Sequence, residues 1–596
     1  MLLSLTPRGL LFVRVALRAY ESQLAQFTGD LMSQFDDLKN AKNLHDIASL
    51  LGYKPRALSY ILYKLGEKYK AFEIPKRYSG VRKINAPHEK LKRLQRKLAD
   101  MLQNCISEID KKGKTRRFSH GFSKGYSIIT NAVNHRRKRF VFNVDLKDFF
   151  GTINFGRVRG FFIVNKDFML NDKVATILAQ IASHDNALPQ GSPCSPVISN
   201  LIGHILDVHL GRLAARHGCI YSRYADDITF STNKKEFPHQ IAEKQDEKNN
   251  VWMPGKKLLK LVKHSGFELN YKKTRMQCNN SRQEVTGLTV NERVNVSSNY
   301  RRNVRAMVHR LLSTGEFHFE RARGEKDITG SLEQLHGMLG FIDHIDKIAK
   351  KPEEHEKNKK HLGIYQQFLL YKVFYTPPSP IILCEGETDN IYLLYAIRSL
   401  AKEYPLLAEI NSDNKIKLKI QFFKYKKRTG EILGLSGGAS PLAKFISHYS
   451  KFKESHDFDF KKINPVIVLV DNDDGLKDFN SILKIKLWPE SGYIHYPQNL
   501  YIIKTPSLNN GKETSEIEDF FPEDVRNREI DGKKFSANKK IDKTKEYGKT
   551  VFAHKIVRPG EKTINFEGFR RILSILEEVI EKHSNAIPVT VQTPPQ

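Results

Sequence analysis

CIYSRYADDITFS, residues 219–231, places two adjacent carboxylates between two apolar stretches. Both flanks alternate apolar with polar residues and are rich in β-branched and aromatic side chains, which is typical of β-strands. Asp226 and Asp227 are therefore expected at the tip of a β-hairpin. An aspartate pair alone is common on solvated loops, but adjacent carboxylates repel each other and stay ionised at low cost where divalent cations bridge them.

A third carboxylate ends another apolar strand, in RFVFNVDLKDFF, residues 139–150. Asp145, Asp226 and Asp227 together make the three-acid set that two-metal nucleotidyl transfer requires. In such sites two Mg²⁺ ions roughly 4 Å apart lower the pKa of an attacking hydroxyl and neutralise a pyrophosphate leaving group. The carbonyl of Leu146 is a further candidate oxygen ligand. These residues predict a polymerase.

Between the acidic segments lies LPQGSPCSP, residues 188–196, a turn that opens into a helical pattern. The three blocks, in this order, resemble motifs A, B and C of reverse transcriptases. The resemblance implies an α+β right-hand polymerase with fingers, palm and thumb, acting on deoxynucleoside triphosphates. It also implies that Phe150 is the aromatic gate that excludes a 2′-hydroxyl and that Gln190 contacts the nucleotide or the template.

Two basic segments resemble the parts of that fold that hold the triphosphate. GFELNYKKT, residues 266–274, is similar to the next polymerase motif, in which a lysine near the triphosphate assists proton transfer. Lys272, or Lys273 beside it, would have this role, although adjacent lysines are often only solvated. Arg82 and Lys83 begin a segment that resembles the fingers and would bind the nucleotide.

Two short elements narrow the resemblance to retron reverse transcriptases. NAVNH fits the NAxxH element of that family and VTG fits its VTG element. The resemblance implies RNA contacts by Asn131, His135, Val285, Thr286 and Gly287, whereas His135 would otherwise be an ordinary hydrogen-bonded histidine. It further implies that a structured noncoding RNA is the template and that the 2′-hydroxyl of an internal guanosine starts an RNA-linked multicopy single-stranded DNA.

The composition agrees with a nucleic-acid partner. Lys and Arg total 98 against 66 Asp and Glu, so the formal net charge is +32 and the pI is near 9.6. Such a charge attracts polyphosphate over long range at low salt, but it does not select RNA over DNA. A length of 596 residues predicts two or more domains.

The start of the chain resembles a weak signal peptide, but arginines interrupt the apolar run, at Arg8, Arg14 and Arg18. We therefore expect no membrane segment and interpret residues 1–42 as an N-terminal helical extension, with translation starting at Met1 or at Met32. The five cysteines are scattered and form no CxxC pair, which indicates a reducing cytoplasm.

The polymerase is expected to span residues 43–290 as fingers and palm and residues 291–375 as thumb. A helical pattern in the thumb places Arg301, Arg305 and His309 at i, i+4 and i+8. Such a basic stripe suits the backbone of RNA or of a hybrid duplex, and a plain solvated helix face is the alternative.

A second domain is expected over residues 376–584, after a charge run and a proline-rich segment, with a flexible tail over residues 585–596. One apolar strand delivers Glu385 and another ends in Asp471 and Asp473. Alternating strands and helices predict a mainly parallel sheet, whose ligands gather beyond the carboxyl ends of the strands. The three acids are therefore candidate ligands of one or two Mg²⁺.

The pairing of EGETD with DND resembles the TOPRIM fold of topoisomerases, primases and nucleases related to overcoming-lysogenization-defect proteins. It implies that Glu385 is a general base or ligand and that Asp471 and Asp473 bind metal, with Asp389 and Glu518 as further acids. The tyrosine nucleophile of a topoisomerase is not recognised, so the resemblance implies a nuclease. Its target would be DNA or RNA, transfer RNA included.

The two resemblances together imply a retron polymerase fused to a toxic effector nuclease in anti-phage defence by abortive infection, either as a single chain or as an oligomer. One alternative is a mobile-element enzyme similar to group II intron reverse transcriptases, which predicts a maturase segment. The other is a TOPRIM half that binds nucleic acid without catalysis.

Overall fold

The computed structural model describes residues 33–75, 80–112, 118–246, 251–319, 328–349, 359–454, 463–496, 499–508, 514–538 and 541–585. The chain divides into two compact units, Met1–Ser297 and Ser298–Gln596. Residues 298–375 of the predicted thumb therefore fall in the second unit. Most of the predicted N-terminal extension, with Met32, and nearly all of the predicted tail lie outside the described residues. Among the helices of the described ranges, none combines the length and the apolar content needed to cross a membrane.

The first unit mixes helices and strands. Its described α-helices are Gln34–Asn40, Leu44–Leu50, Pro55–Ser59, Glu89–Lys112, Ile128–Asn134, Phe155–Val164, Asp172–Ala182, Ser195–Arg216 and Lys256–His264. Its described strands are Tyr69–Pro75, Val81–Pro87, Phe140–Asp145, Ile220–Tyr224, Asp227–Thr232, Ala242–Asp246, Val251–Pro254, Arg275–Cys278, Glu284–Val285 and Leu288–Thr289.

Four of these strands form one antiparallel sheet, which we call the acid sheet. Its strand order is Ile220–Tyr224, Asp227–Thr232, Phe140–Asp145 and Arg275–Cys278. The strand Phe140–Asp145 is largely buried, with Val141, Phe142 and Val144 almost fully removed from solvent. The acid sheet therefore holds its strand ends, where the acids lie, on a rigid support.

The long helix Ser195–Arg216 packs against the edge strand of the acid sheet. Its buried side chains include Ile198, Ile202, Leu206 and Leu210. Burying each such side chain stabilises the fold by about 1.5–3 kcal/mol relative to its exposure to water. The helix begins where the loop of residues 188–196 ends, so the core fixes the position of that loop.

The second unit also mixes helices and strands. Its described α-helices are Ser298–Thr314, Leu332–Ala349, Lys359–Leu370, Glu387–Ser399, Lys427–Leu433, Ala439–Glu454, Gly475–Leu483, Glu523–Arg526, Lys549–Val551 and Arg570–Asn585. Its described strands are His318–Phe319, Ile328–Thr329, Ile381–Cys384, Ala408–Ile410, Ile416–Leu418, Gln421–Phe422, Val466–Val470, Tyr493–Tyr496, Leu500–Lys504, Lys534–Phe535 and Glu546–Tyr547.

A five-stranded sheet forms the centre of the second unit, in the order Gln421–Phe422, Ile381–Cys384, Val466–Val470, Leu500–Lys504 and Tyr493–Tyr496. The first four strands are parallel, and the last is antiparallel to its neighbour. Every residue of the strand VIVLV is buried, as expected for a central parallel strand with both faces covered.

The helix Ser298–Thr314 occupies the stretch where the basic stripe was predicted, and its apolar face is buried through Val304 and Val308. Arg301, however, donates two hydrogen bonds to Asp346 of the helix Leu332–Ala349, at 2.9 and 2.8 Å. Arg301 thus ties two helices of the second unit together instead of standing in a solvent-facing stripe. Arg305 is exposed, and its predicted RNA contact stays a prediction.

Candidate active site

Three carboxylates meet at one end of the acid sheet. Asp145 lies directly opposite Asp227 in the antiparallel register, and Asp226 occupies the turn between the paired residues Tyr224 and Asp227. The backbone N–H of Leu146 donates to the carbonyl of Asp226 at 3.0 Å. Residues that are far apart in the sequence are therefore neighbours in the fold.

Burial and neighbouring charge raise the pKa of both aspartates of the hairpin. Burial, followed by the charge of Asp145, raises the pKa of Asp226 above its usual range. Asp227 is at the solvent-facing end of its strand. The surrounding protein still excludes enough water to raise its pKa to about 6, and Asp226 and Asp145 contribute further. Such mutual repulsion is what a bound cation would relieve.

A lysine and an asparagine hold Asp145. The ammonium of Lys273 donates to Asp145 Oδ2 at 2.8 Å, and the side-chain amide of Asn270 donates to Oδ1 at 3.3 Å. Burial alone would lower the pKa of Lys273, but its contacts with the carboxylates raise it above the usual range. Of the two adjacent lysines, the structure therefore brings Lys273 to the acids. Lys272 is exposed, and its predicted nucleotide contact stays a prediction.

Within the described residues, no three His, Cys, Asp or Glu side chains already have the arrangement of a metal-binding set. The donor chemistry at the end of the acid sheet nevertheless fits Mg²⁺, which prefers carboxylate and carbonyl oxygens. Asp145, Asp226 and Asp227 supply such oxygens, and the repulsion between them favours a cation. Metal binding by Asp145 would compete with its hydrogen bonds from Lys273 and Asn270.

The turn that carries Asp226 has an unusual backbone and a buried support. Ala225 has a φ of 56°, in the left-handed region that few alanines adopt. The Nη1 of Arg223 donates to the carbonyl of Ala225 at 2.9 Å, while Nε and Nη2 hold the two carboxylate oxygens of Asp207 at 2.7 and 2.8 Å. Although burial alone would lower the pKa of Arg223, Asp207 raises it, so the guanidinium stays charged.

A histidine bridges the two strands that flank the Asp226 turn, on the face of the acid sheet opposite Arg223. His135 is fully buried, with Nδ1 at 2.7 Å from the hydroxyl of Ser231 and Nε2 at 2.7 Å from that of Ser222. The Ser222 hydroxyl lies 2.5 Å from the Oδ1 of Asn131, which is also buried. The predicted RNA contacts of Asn131 and His135 therefore need correction: both side chains are inside the core, and His135 is the ordinary hydrogen-bonded histidine.

The VTG element forms the tip of a small hairpin between Glu284–Val285 and Leu288–Thr289. Thr286 and Gly287 both have positive φ, at 48° and 81°, as a two-residue hairpin turn of this type requires. The hydroxyl of Thr286 donates to the carbonyl of Ile128 at 3.2 Å, so the hairpin lies on the helix that carries NAxxH. Val285 is buried and Gly287 is exposed. The exposed turn can therefore contact RNA directly, whereas the buried Val285 side chain cannot.

The candidate nucleotide contacts lie in the first unit, and the charge of Arg82 acts on Asp226. The carbonyl of Gln190 accepts from the backbone N–H of Asn85 at 2.8 Å, which joins the loop of residues 188–196 to the hairpin that carries Arg82 and Lys83. Both basic side chains are exposed. The charge of Arg82 partly offsets the rise in the pKa of Asp226. The half-buried Phe150 packs against Phe149, with ring centroids 5.5 Å apart.

Four buried side chains behind the turn were not predicted from the sequence. Arg223 and Asp207 support the turn, and Ser222 and Ser231 hold His135. One signal was present: Asp207 interrupts the apolar pattern of a long helix, and Arg223 stands in a strand that is otherwise suited to burial. An isolated charge in a buried element usually has a partner, but the sequence does not say which one.

A second acidic cluster lies in the second unit. Glu385 and Asp471 follow the adjacent parallel strands Ile381–Cys384 and Val466–Val470. Burial raises the pKa of Glu385, and Asp473 raises it further. Burial also raises the pKa of Asp471 well above its usual range, with added repulsion from Asp389, Glu518 and Glu385. The structure thus places the three predicted acids of this unit within electrostatic reach of one another.

Glu518 and Lys549 complete this cluster. Glu518 is 2% exposed, and burial raises its pKa to about 7 even though Lys549 lowers it. The Lys549 ammonium donates to both Glu518 and Glu516 at 3.0 Å. One buried carboxylate oxygen of Glu385 and one of Glu518 have no hydrogen-bond partner among the described residues.

Comparison with known proteins defines the class. A family model described as reverse transcriptase (RNA-dependent DNA polymerase) matches residues 74–303, which include all of the acid sheet. The chain is therefore an RNA-directed DNA polymerase in this part, an enzyme class that copies an RNA template with deoxynucleoside triphosphates and generally uses Mg²⁺.

Relatives define the family. The retron Mx65 reverse transcriptase of Myxococcus xanthus is 32% identical over 334 residues, which cover 52% of this chain and 69% of that protein. The retron Ec86 reverse transcriptase of Escherichia coli is 29% identical over 321 residues, which cover 53% of this chain and 92% of that protein. The chain belongs to the retron reverse transcriptases.

Among solved structures, the apo telomerase of Candida tropicalis, truncated from its C-terminal domain, has 15% sequence identity to the chain and a TM-score of 0.27. The match covers 38% of this chain and 55% of that one. A similarity at this level does not define the fold of this chain.

Proposed function

We propose that Asp145, Asp226 and Asp227 hold two Mg²⁺ ions, with the carbonyl of Leu146 as an added ligand, and that this site synthesises DNA. The observation that carries the proposal is the meeting of the three carboxylates at one sheet end, where burial and the charge of Asp145 raise the pKa of Asp226 and Asp227. When bound, the ions would activate the primer hydroxyl and neutralise the leaving pyrophosphate.

The double variant Asp226→Ala/Asp227→Ala tests this proposal. It should abolish DNA synthesis in a primer-extension assay while RNA affinity in a gel-shift assay stays within about twofold, because phosphate contacts lie elsewhere. Asp148→Ala is the control, because Asp148 lies in the segment of Asp145 but its side chain packs over Gly151. Full synthesis by the double variant would reject the site.

We propose that Phe150, Gln190, Arg82, Lys83 and Lys272 contact the incoming nucleotide. The support is the bond between the loop of Gln190 and the basic hairpin, together with the charge of Arg82 that acts on Asp226. Phe150→Ala should permit incorporation of ribonucleotides, because a smaller side chain leaves room for the 2′-hydroxyl. Unchanged discrimination between the two sugars would count against the gate.

We propose that the product is an RNA-linked multicopy single-stranded DNA, copied from a structured noncoding RNA and started at the 2′-hydroxyl of an internal guanosine. The support is family membership together with the NAxxH helix and the VTG hairpin, which lie against each other. Sequencing of nucleic acids that copurify with the protein should find one RNA species joined to DNA by a 2′ branch. Linear copies of many RNAs would favour a mobile-element enzyme similar to group II intron reverse transcriptases.

We propose that residues 376–584 form a TOPRIM nuclease domain with one or two Mg²⁺ bound by Glu385, Asp471 and Asp473. The support is that the acids follow adjacent parallel strands and that buried oxygens of Glu385 and Glu518 have no hydrogen-bond partner in the described part of the chain. Asp471→Asn/Asp473→Asn should abolish Mg²⁺-dependent cleavage of DNA or RNA, transfer RNA included. Unchanged biological activity of this variant would favour a noncatalytic binding module.

We propose that the two activities serve anti-phage defence in the cytoplasm, the RNA–DNA product restraining the nuclease until infection disturbs it. The support is the presence of both acidic sites in one polypeptide. Deleting the noncoding RNA while Glu385 and Asp471 stay intact should raise toxicity to the host cell. Unchanged growth would count against restraint by the RNA.

A further inference from the structure

The buried pair of Arg223 and Asp207 supports the turn that carries Asp226. Arg223 is 0% exposed and Asp207 is 1% exposed, which is rare for charged side chains. The hydroxyl of Tyr221 also donates to Asp207, at 2.7 Å. A buried ion pair adds little stability compared with well-packed apolar residues, because both charges lose their hydration. Stability alone is therefore a weak reason for this pair.

The third nitrogen of the guanidinium gives a stronger reason. With Nε and Nη2 on Asp207, Nη1 is aimed at the carbonyl of Ala225. That carbonyl and the N–H of Asp226 belong to one planar peptide, so holding the oxygen fixes the plane from which Asp226 extends. The left-handed backbone of Ala225 persists only where surrounding groups hold it.

Two glycines make room for this support. A Cβ at position 203 would lie 2.8 Å from Arg223 Nη2, so Gly203 admits the guanidinium beside the helix. A Cβ at position 121 would lie 2.6 Å from the backbone N of Ala225, so Gly121 lets a second segment close on the turn. The turn is thus held at the Ala225 carbonyl by Arg223, and the backbone of Gly121 approaches it closely at the Ala225 amide.

We propose that Arg223 is a positioning residue for DNA synthesis: its guanidinium, oriented by Asp207, holds the carbonyl of Ala225 and thereby sets the placement of Asp226. The proposal rests on the proposed role of Asp226 and Asp227. Asp207 belongs to the helix that follows the loop of Gln190, so one rigid element carries both the support of the turn and the candidate nucleotide loop.

The variant Arg223→Lys tests the proposal in the full chain with its RNA. A lysine keeps the charge opposite Asp207, but one ammonium cannot hold both carboxylate oxygens and the Ala225 carbonyl. We expect kcat to fall roughly 10- to 100-fold, the size expected for a small misplacement of a catalytic group. The Mg²⁺ concentration for half-maximal rate should rise, while KM for the nucleotide and RNA affinity stay nearly unchanged.

Arg159→Lys is the matched control. Arg159 also holds both carboxylate oxygens of an aspartate of the first unit, Asp172, through its Nη2, but it makes no contact with the turn in the described structure. This control should keep the kcat and the Mg²⁺ dependence of the unaltered protein. A wild-type kcat in Arg223→Lys, or a loss that only follows the folded fraction with no change in Mg²⁺ dependence, would overturn the proposal.

A second variant covers the case in which Arg223→Lys folds poorly. Asp207→Asn removes the charge of the pair but leaves the guanidinium able to reach Ala225. The Oδ1 of the asparagine still accepts one bond and keeps the guanidinium oriented, so at equal folded fraction this variant should lose less than about threefold in kcat, with little change in Mg²⁺ dependence. A larger loss, or one equal to that of Arg223→Lys, would assign the effect to the ion pair and overturn the role of the Ala225 contact. Synthesis by Asp226→Ala/Asp227→Ala would instead reject the acid site itself.

Discussion

His135 couples the stability of the first unit to pH. Its complete burial, with smaller contributions from His120 and Lys138, lowers its pKa from 6.5 to about 3. Because the folded-state value is below the unfolded one, the neutral ring stabilises the fold fully above about pH 6.5, and this contribution is lost as the pH falls toward 3. Each pH unit within that window costs about 1.4 kcal/mol.

We therefore expect the free energy of unfolding to fall more steeply with acid in the unaltered protein than in His135→Gln. Urea unfolding at pH 7.5, 6.0 and 5.0 measures both slopes. The variant should be less stable at pH 7.5 because it loses the fixed bridge between Ser222 and Ser231. His120, whose pKa burial lowers to about 4, remains in both proteins and provides the common background. Equal slopes would show that His135 does not titrate as described.

The same histidine shows what residue patterns could and could not predict. The spacing of Asn131 and His135 indicated a family, but it did not indicate whether the side chains point to RNA or to the core. That direction depends on Ser222 and Ser231, which meet His135 only through the pairing of their two strands. By contrast, the meeting of Asp226 with Asp227 and Asp145 was predictable because each acid lies at a strand end.

At the level of elements, the segment around Gly121 acts as a short extra strand. Ser119 forms a parallel bridge with Arg223, and the N–H of His120 donates to the carbonyl of Arg223 at 2.7 Å. Gly121→Ala should push this segment away from Ala225, because the new Cβ would meet backbone at 2.6 Å. We expect a loss of stability of about 1–3 kcal/mol and reduced DNA synthesis.

Gly160→Ala is the control for that substitution. Gly160 lies within the helix Phe155–Val164, and no described atom is within 4 Å of its added Cβ. Alanine should stabilise this helix by about 0.5–1 kcal/mol and leave synthesis unchanged. Thermal unfolding and primer extension measure both variants. A Gly121→Ala protein that is as stable and active as Gly160→Ala would contradict the close approach to the turn.

Substitutions of two arginines of the helix Ser298–Thr314 should affect different properties, one the stability and the other the RNA affinity. Arg301→Ala removes the charge-assisted bonds to Asp346 and should cost about 1.5–3 kcal/mol of stability. Arg305 is exposed, so Arg305→Ala should leave stability unchanged. If it contacts a phosphate, this variant should reduce the slope of log affinity for RNA against log salt by about one. An unchanged slope in Arg305→Ala would show that this face of the helix is solvated and does not contact RNA.

Helices and strands were predictable in so far as their periodicity is local. The hairpin around Asp226 and the helix after Ser298 follow from alternation and from the i, i+4 pattern. The pairing of Arg301 with Asp346 was not predictable, because the sequence of one helix does not show which neighbour covers it.

At the scale of the whole molecule, each unit carries its own acidic cluster on its own sheet. The chemistry of one should therefore survive the loss of the other. In the purified full chain, Asp471→Asn/Asp473→Asn should leave primer extension unchanged, and Asp226→Ala/Asp227→Ala should leave Mg²⁺-dependent cleavage intact. Loss of both activities in either variant would show that the acids of one unit support the fold of the other.

In cells the two sites should be linked through the product. If the RNA–DNA product restrains the nuclease, Asp226→Ala/Asp227→Ala should be toxic, because its RNA partner is bound but never copied. Adding Asp471→Asn/Asp473→Asn to the same chain should restore growth, because the unrestrained site can no longer cut. Growth curves after induction at matched protein levels, with the noncoding RNA coexpressed, measure both steps. Normal growth of the polymerase variant would reject restraint by the DNA product, and persistent toxicity of the fourfold variant would place the toxic activity outside Asp471 and Asp473.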